Sequence, residues 1–341
     1  MTGLISTYLE HLEHQPSARG RSSSPATVRA QRADLAGFVA WWLEHHQLAS
    51  FDPALVQERD LRDWQRHRQV EDGAAATTIN RAVVTLRAFF SWAHEAGHIR
   101  HNPAAQLQRL PAEDQAPLHL SPEAVTWLFR ATGGEDDPMR RARDRALLTL
   151  LSDCGLRSQE AADVQLRDLD LAGATLTVRS GKGSKPRRIS LEGEAVRRLR
   201  EFVQLRCPGS LPAVGSAEER ERLLVAYHRQ GSVGQWVPGL STAGMRKRLD
   251  ELGEAAARLV EEQARKTSAL ARVGELGELA RQLRAVSPHQ LRHGLGYRLR
   301  KQGVDLGVAQ QLLGHARPAT TMRYGQPTEA DVREVLRRAN E

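Results

Sequence analysis

The run Ser287-Pro288-His289-Gln290-Leu291-Arg292-His293-Gly294 sets the frame for the whole chain. A serine followed by proline opens a helix, because the hydroxyl accepts from a free N–H of the first turn and the ring presets the helical φ. His289 and Arg292, three apart, then project from one face near the helix start. Backbone N–H groups and the helix dipole favour a phosphate there. His293 falls on a different face by spacing and is expected to pack or bond internally.

Four further residues in the C-terminal half complete a chemical set. Arg157 lies in Cys154-Gly155-Leu156-Arg157-Ser158-Gln159-Glu160, Lys182 in Gly181-Lys182-Gly183-Ser184-Lys185, His315 in Leu312-Leu313-Gly314-His315, and Tyr324 in Thr320-Thr321-Met322-Arg323-Tyr324. Two guanidiniums match the non-bridging oxygens of a phosphate and stay charged at any physiological pH. Imidazoles near neutrality move a proton, a lysine can protonate a departing oxygen, and a phenol can attack phosphorus. This inventory can break a phosphodiester without a metal.

That series of boxes resembles the tyrosine recombinase (phage integrase) family, with a layout most like its Xer-type bacterial members. The resemblance spans about residues 1 to 335, and the separation of His315 from Tyr324 is the one the family has. It implies Arg157, Lys182, His289, Arg292 and His315 as catalytic residues around the nucleophile Tyr324. Glu160 would be a supporting acid that orients Arg157 or His289. It also implies a mainly α fold with a small antiparallel β-sheet in the C-terminal domain, arranged as a two-domain DNA clamp. No cofactor and no metal are expected. The partner would be double-stranded DNA carrying inverted half-sites, bound by a homotetramer in the synaptic complex.

Composition bears on the partner independently. The chain has 341 residues, a net charge of +8 and 49 Lys plus Arg against 41 acids. Residues 1–110 carry 12 Arg against 11 acids, and residues 119–341 carry 37 Lys plus Arg against 28 acids, so the basicity sits with the chemistry. A polyanion is the natural complement. Lysine occurs only 5 times against 44 arginines, which makes Lys182 and Lys185 in one turn informative. An amine can give up a proton when its pKa is lowered, whereas a guanidinium cannot. The 2 cysteines, Cys154 and Cys207, lack metal or disulfide spacing. Without a signal-like N-terminus or a long apolar run, no membrane span is expected and the location is cytoplasmic.

Hydrophobic spacing is helical from Leu4 to Pro103, and the resemblance implies a helical, SAM-like core-binding domain over 1–110. Ser24 or Thr27 would cap one helix, and another would run from about Thr77 to Gly97. Arg81 and Arg87 on the latter are candidate phosphate contacts. The Pro-punctuated stretch 111–120 reads as a linker, and 121–341 as the catalytic domain. Within it, Ser121-Pro122 opens a helix. A second helix from Met139 to about Cys154 ends where Gly155 permits the turn before Arg157. The period falls to two between Val164 and Leu191, giving strands at 175–179 and 188–191 with a third over 164–169. Their connecting tip carries Lys182, with Lys185 and Arg187 as further candidate DNA contacts. Residues 192–286 read as helical. An enlarged helical segment at 254–284, whose 6 basic residues nearly balance 5 glutamates, is expected to be a solvated helix or a protein contact. A tail helix at 328–339 would dock on a neighbouring subunit or pack on its own domain.

Two other functions fit parts of this pattern. A type IB-like topoisomerase uses a similar residue set on one duplex, and a catalytically silent architectural protein would share only the DNA binding.

Overall fold

The computed structural model describes residues 3–14, 23–111, 119–179, 186–209, 212–213, 215–230 and 233–314. The chain divides into two compact units at Asp114/Gln115. Each has its own hydrophobic core.

The first unit contains helices α1 (Gly3–His14), α2 (Pro25–His46), α3 (Glu58–Val70) and α4 (Ala76–Glu95). Ser24 caps α2, its hydroxyl accepting from Thr27 N at 3.2 Å. Tyr8, Phe38, Trp42, Leu61, Leu86, Phe89 and Phe90 recur at helical spacing and are fully buried. Phe38 meets Trp64 edge to face at 5.8 Å, the arrangement favoured by ring quadrupoles. Asp60 joins α2 to α3 by accepting from both Trp42 Nε1 and Gln57 N.

The second unit starts with α5 (Pro122–Ala131), capped by Ser121, and α6 (Pro138–Leu148), capped by Asp137. A π-turn over Thr149–Asp153 follows, then Gly155 at φ +63° and the short α7 (Ser158–Asp163). Strands β1 (Leu169–Asp170), β2 (Thr175–Val178) and β3 (Arg187–Ser190) form an antiparallel sheet in the order β1-β2-β3. The first of these is shorter than the sequence implies, since Leu166–Asp168 is a 3₁₀ turn. After α8 (Gly193–Arg206) the chain makes a second sheet, β4 (Val225–Gln230) paired with β5 (Val233–Pro238). Helices α9 (Thr242–Arg265), α10 (Leu270–Arg284), α11 (Pro288–Lys301) and α12 (Leu306–Leu313) complete the described part. None of the described helices is long and apolar enough to cross a membrane.

Mostly helical with small antiparallel sheets, the architecture is the one expected, with two further corrections. Residues 192–286 are not helical throughout, because β4 and β5 interrupt them. Val225, Tyr227, Val233, Trp236 and Val237 favour strands, and Tyr227 faces Trp236 across the ladder with centroids 5.1 Å apart. Nor is 254–284 merely a solvated helix. It lies in two helices, α9 and α10, whose Ala256, Ala257, Val260, Leu276, Leu279, Ala280 and Leu283 belong to the main core. The outward charges pair locally, Arg284 with Glu254 at 3.1 Å and with Glu261 at 2.7 Å.

Candidate active site

Three described arginines of the second unit converge on one buried carboxylate. Arg157 is the N-cap of α7, and its backbone N–H donates to Glu160 Oε2 at 2.9 Å. Its Nη1 donates to Glu160 Oε1 at 2.8 Å. Arg292, in the first turns of α11, places Nη1 3.6 Å from Glu160 Oε2. Arg187, at the head of β3, grips the same carboxylate with both ends of its fork, Nη1 to Oε1 at 3.1 Å and Nη2 to Oε2 at 2.9 Å. Burial alone would raise the Glu160 pKa. The Arg187 hydrogen bonds, the Arg157 N–H and both guanidinium charges outweigh it and pull the value down to about 2. One anion therefore faces three permanent cations, and the surplus is positive.

A second negative pole comes from the end of α12. Its last carbonyls lie at the negative end of the helix dipole. Leu312 O accepts from Arg187 Nε at 3.0 Å, Leu313 O from Arg292 Nη2, and Gly314 O from Arg157 Nη2 at 2.8 Å. Three consecutive carbonyls thus serve the three arginines gathered on Glu160. Gly314, at φ +63°, lies so close that a Cβ there would stand 2.8 Å from Arg187 Nη1. Arg292 also donates to Gly155 O at 2.6 Å, tying α11 to the bend before Arg157.

Exposure separates the arginines. The Arg157 side chain is 41% exposed, whereas those of Arg292 and Arg187 are 2% and 7% exposed. The last figure corrects an expectation: Arg187 does not project toward DNA, because its guanidinium is turned inward onto Glu160 and Leu312. Ser287 caps α11, with Gln290 N donating to its hydroxyl at 3.3 Å. His289 stands exposed on that first turn, edge to face with His293 at 4.0 Å. Partial desolvation, then the charges of Arg292 and Arg157, lower its pKa below the ordinary imidazole value. Its ring is therefore neutral at physiological pH and able to accept a proton.

Lys182, Lys185, His315, Tyr324 and the 328–339 tail lie outside the described residues, as does most of the 111–120 linker. In the first unit Arg87 is exposed on α4. Arg81 is 52% exposed but bound at both ends to Asp34, Nη2 lying 2.7 Å from Oδ1. The carbonyl set at 312–314 carries no side-chain signature and was not legible in the sequence. Nor was the inward turn of Arg187 read there, because the strand was expected to begin at 188, although alternation within β3 puts Arg187 on the face of the buried Ile189.

The chain is similar to known proteins over most of its length. The phage integrase family pattern matches residues 132–331, and the family's N-terminal SAM-like domain matches residues 5–97. The tyrosine recombinase XerC of Rhodospirillum centenum is 32% identical over 95% of this chain and 82% of its own length. That of Thermodesulfovibrio yellowstonii is 27% identical over 97% of this chain and 93% of its own. Among solved structures, the Tn1549 transposon integrase in complex with a circular intermediate DNA has the same fold at a TM-score of 0.64, with 18% identity and 98% of each chain covered. A lambda integrase dimer bound to a COC′ core site aligns at 0.60, with 15% identity over 96% of this chain and 95% of that one. With its two domain patterns in order and a full-length relative above 30% identity, the chain belongs to the phage integrase family and is a Xer-like tyrosine recombinase.

Proposed function

We propose that the protein is a site-specific DNA recombinase that cleaves and rejoins strands through a 3′-phosphotyrosyl intermediate on Tyr324. The observation that carries this reading is the cluster of Arg157 and Arg292 on Glu160 beside a lowered-pKa His289. It is a preset positive field next to a neutral base, which suits the charge that grows on a phosphate under attack. In the cleavage step the bond from Tyr324 Oη to phosphorus forms and the bond from phosphorus to the 5′ oxygen breaks. The phenol proton passes to His289 directly or through water, and Lys182 protonates the leaving oxygen. His315 and the two arginines hold the non-bridging oxygens. A 5′-hydroxyl from a partner duplex then reverses the step, so the phosphodiester's free energy is kept without ATP.

Arg81 and Arg87 contact phosphates from the first unit. Two inverted half-sites on each of two duplexes assemble four copies, with the 328–339 tail docking on a neighbour. The discriminating experiment is supercoiled plasmid with and without the cognate site. Site-dependent deletion, inversion or integration supports recombination. Efficient relaxation of plasmid lacking any site, with no recombinants on cognate DNA, would assign a topoisomerase instead.

A further inference from the structure

Arg187 is, with Arg292, one of the two buried arginines of the cluster, and every nitrogen of its guanidinium is engaged within the protein. Its side chain is 7% exposed, and Nε, Nη1 and Nη2 each donate within the protein, to Leu312 O and to the two oxygens of Glu160. The residue nonetheless spans the catalytic set. Along the chain it follows Lys182 by five positions, and the carbonyl it holds precedes His315 by three. Through Glu160 it touches both Arg157 and Arg292. Through Leu312 O and its packing on Gly314 it holds the last turn of α12, whose neighbouring carbonyls take the other two arginines.

We propose that Arg187 is a positioning residue for strand cleavage: it clamps Glu160 to the end of α12, so that Arg157 and Arg292 keep the spacing a phosphate requires. The inference rests on the function proposed above. The reasoning is electrostatic as well as mechanical. Glu160 needs cationic partners because its carboxylate is buried, with a side chain only 4% exposed. With Arg187 satisfying both oxygens, Arg157 shares the carboxylate and still reaches solvent at 41% exposure. Without Arg187, Glu160 would draw the exposed Arg157 inward and compete with the phosphate for it. The bidentate fork matters, because a lysine at this position supplies one point charge in place of three directed donors.

The test uses the full chain and a nicked suicide half-site, comparing wild type, Arg187→Gln, Arg187→Lys and the double variant Glu160→Gln/Arg187→Gln. Single-turnover adduct formation, half-site affinity with its salt dependence, and thermal unfolding are measured on each. Arg187→Gln should bind DNA with an unchanged salt slope yet form adduct on the order of 10- to 100-fold more slowly, the weight of a lost charge-assisted hydrogen-bond pair. Arg187→Lys should fall between it and wild type. The double variant should be no slower than Arg187→Gln, since removing the buried anion removes the competition. A wild-type adduct rate in Arg187→Gln would overturn the proposal. So would weakened binding with a salt slope reduced by about one, the sign of a lost phosphate contact. Should the glutamine variant fail to fold, a folded Arg187→Lys with a full adduct rate overturns it equally, and a slowed one upholds it. Tyr324→Phe run alongside separates this claim from the one beneath it. Adduct in wild type and none in Tyr324→Phe upholds the recombinase chemistry whatever Arg187 does.

Discussion

Replacing Glu160 with glutamine removes the charge on which three arginines converge while keeping the side chain's size. A carboxyl held at about 2 in place of an ordinary 4.5 stabilises the folded second unit by about 3 kcal/mol at neutral pH, at about 1.4 kcal/mol per pH unit. Because the folded value is the lower one, the unfolded chain binds the extra proton as the solution is acidified. The contribution is complete above pH 4.5 and is lost as pH falls toward 2. By pH 3 about 2 kcal/mol of it is gone. Glu160→Gln should therefore cost about 3 kcal/mol at pH 7 but only about 1 kcal/mol at pH 3. Other carboxylates titrate alike in both proteins and cancel in the difference. Urea-dependent hydrogen exchange of peptides from α7 and α11 at the two pH values reads this local stability without interference from the first unit. A cost below about 1 kcal/mol at pH 7, or a cost that does not shrink on acidification, would refute the claim that Glu160 anchors the arginines.

Other outcomes follow from the same geometry. Lys182→Ala should slow cleavage of ordinary DNA and recover on a substrate whose 5′ leaving oxygen is sulfur, because a thiolate departs without a proton; no recovery would remove Lys182 as the acid. The acid limb of the cleavage rate should lie below the ordinary imidazole pKa, since His289 is depressed by desolvation and by Arg292 and Arg157. Arg157→Gln should move that limb upward in a single-turnover pH profile, and an unmoved limb would remove His289 as the titrating base. Leu279→Ala in α10 should destabilise the second unit by about 2–5 kcal/mol in urea unfolding, the range for a core leucine, whereas a solvated α10 predicts almost no change.

Much of this arrangement was written in local sequence. Ser24, Ser121 and Ser287 each stand before a proline and each cap a helix, because capping depends on a few adjacent residues. Gly155 and Gly314 marked chain reversals that the backbone makes at positive φ. What escaped was set by packing between distant segments. The β4–β5 hairpin has strand-forming residues, but it lies between two strongly helical stretches that dominate any windowed reading. The apolar stripe of 254–284 looked partial because it is divided between α9 and α10 and completed by α5. Arg187 looked like one basic residue among several near a hairpin tip. Only the fold shows that Glu160, 27 positions earlier, meets it. The carbonyls of 312–314 act through backbone alone, which no side-chain pattern reports.

Tyr324 is proposed as the nucleophile acting with Arg157, Glu160, His289 and Arg292. The most direct measurement is peptide mapping of the covalent complex trapped on a nicked half-site, for wild type and Tyr324→Phe. Wild type should carry the 3′-phosphate on the peptide containing Tyr324. Tyr324→Phe should bind the same DNA with affinity within a few-fold and yield no adduct. Normal adduct from Tyr324→Phe, or a phosphate mapped to any other residue, would contradict that assignment.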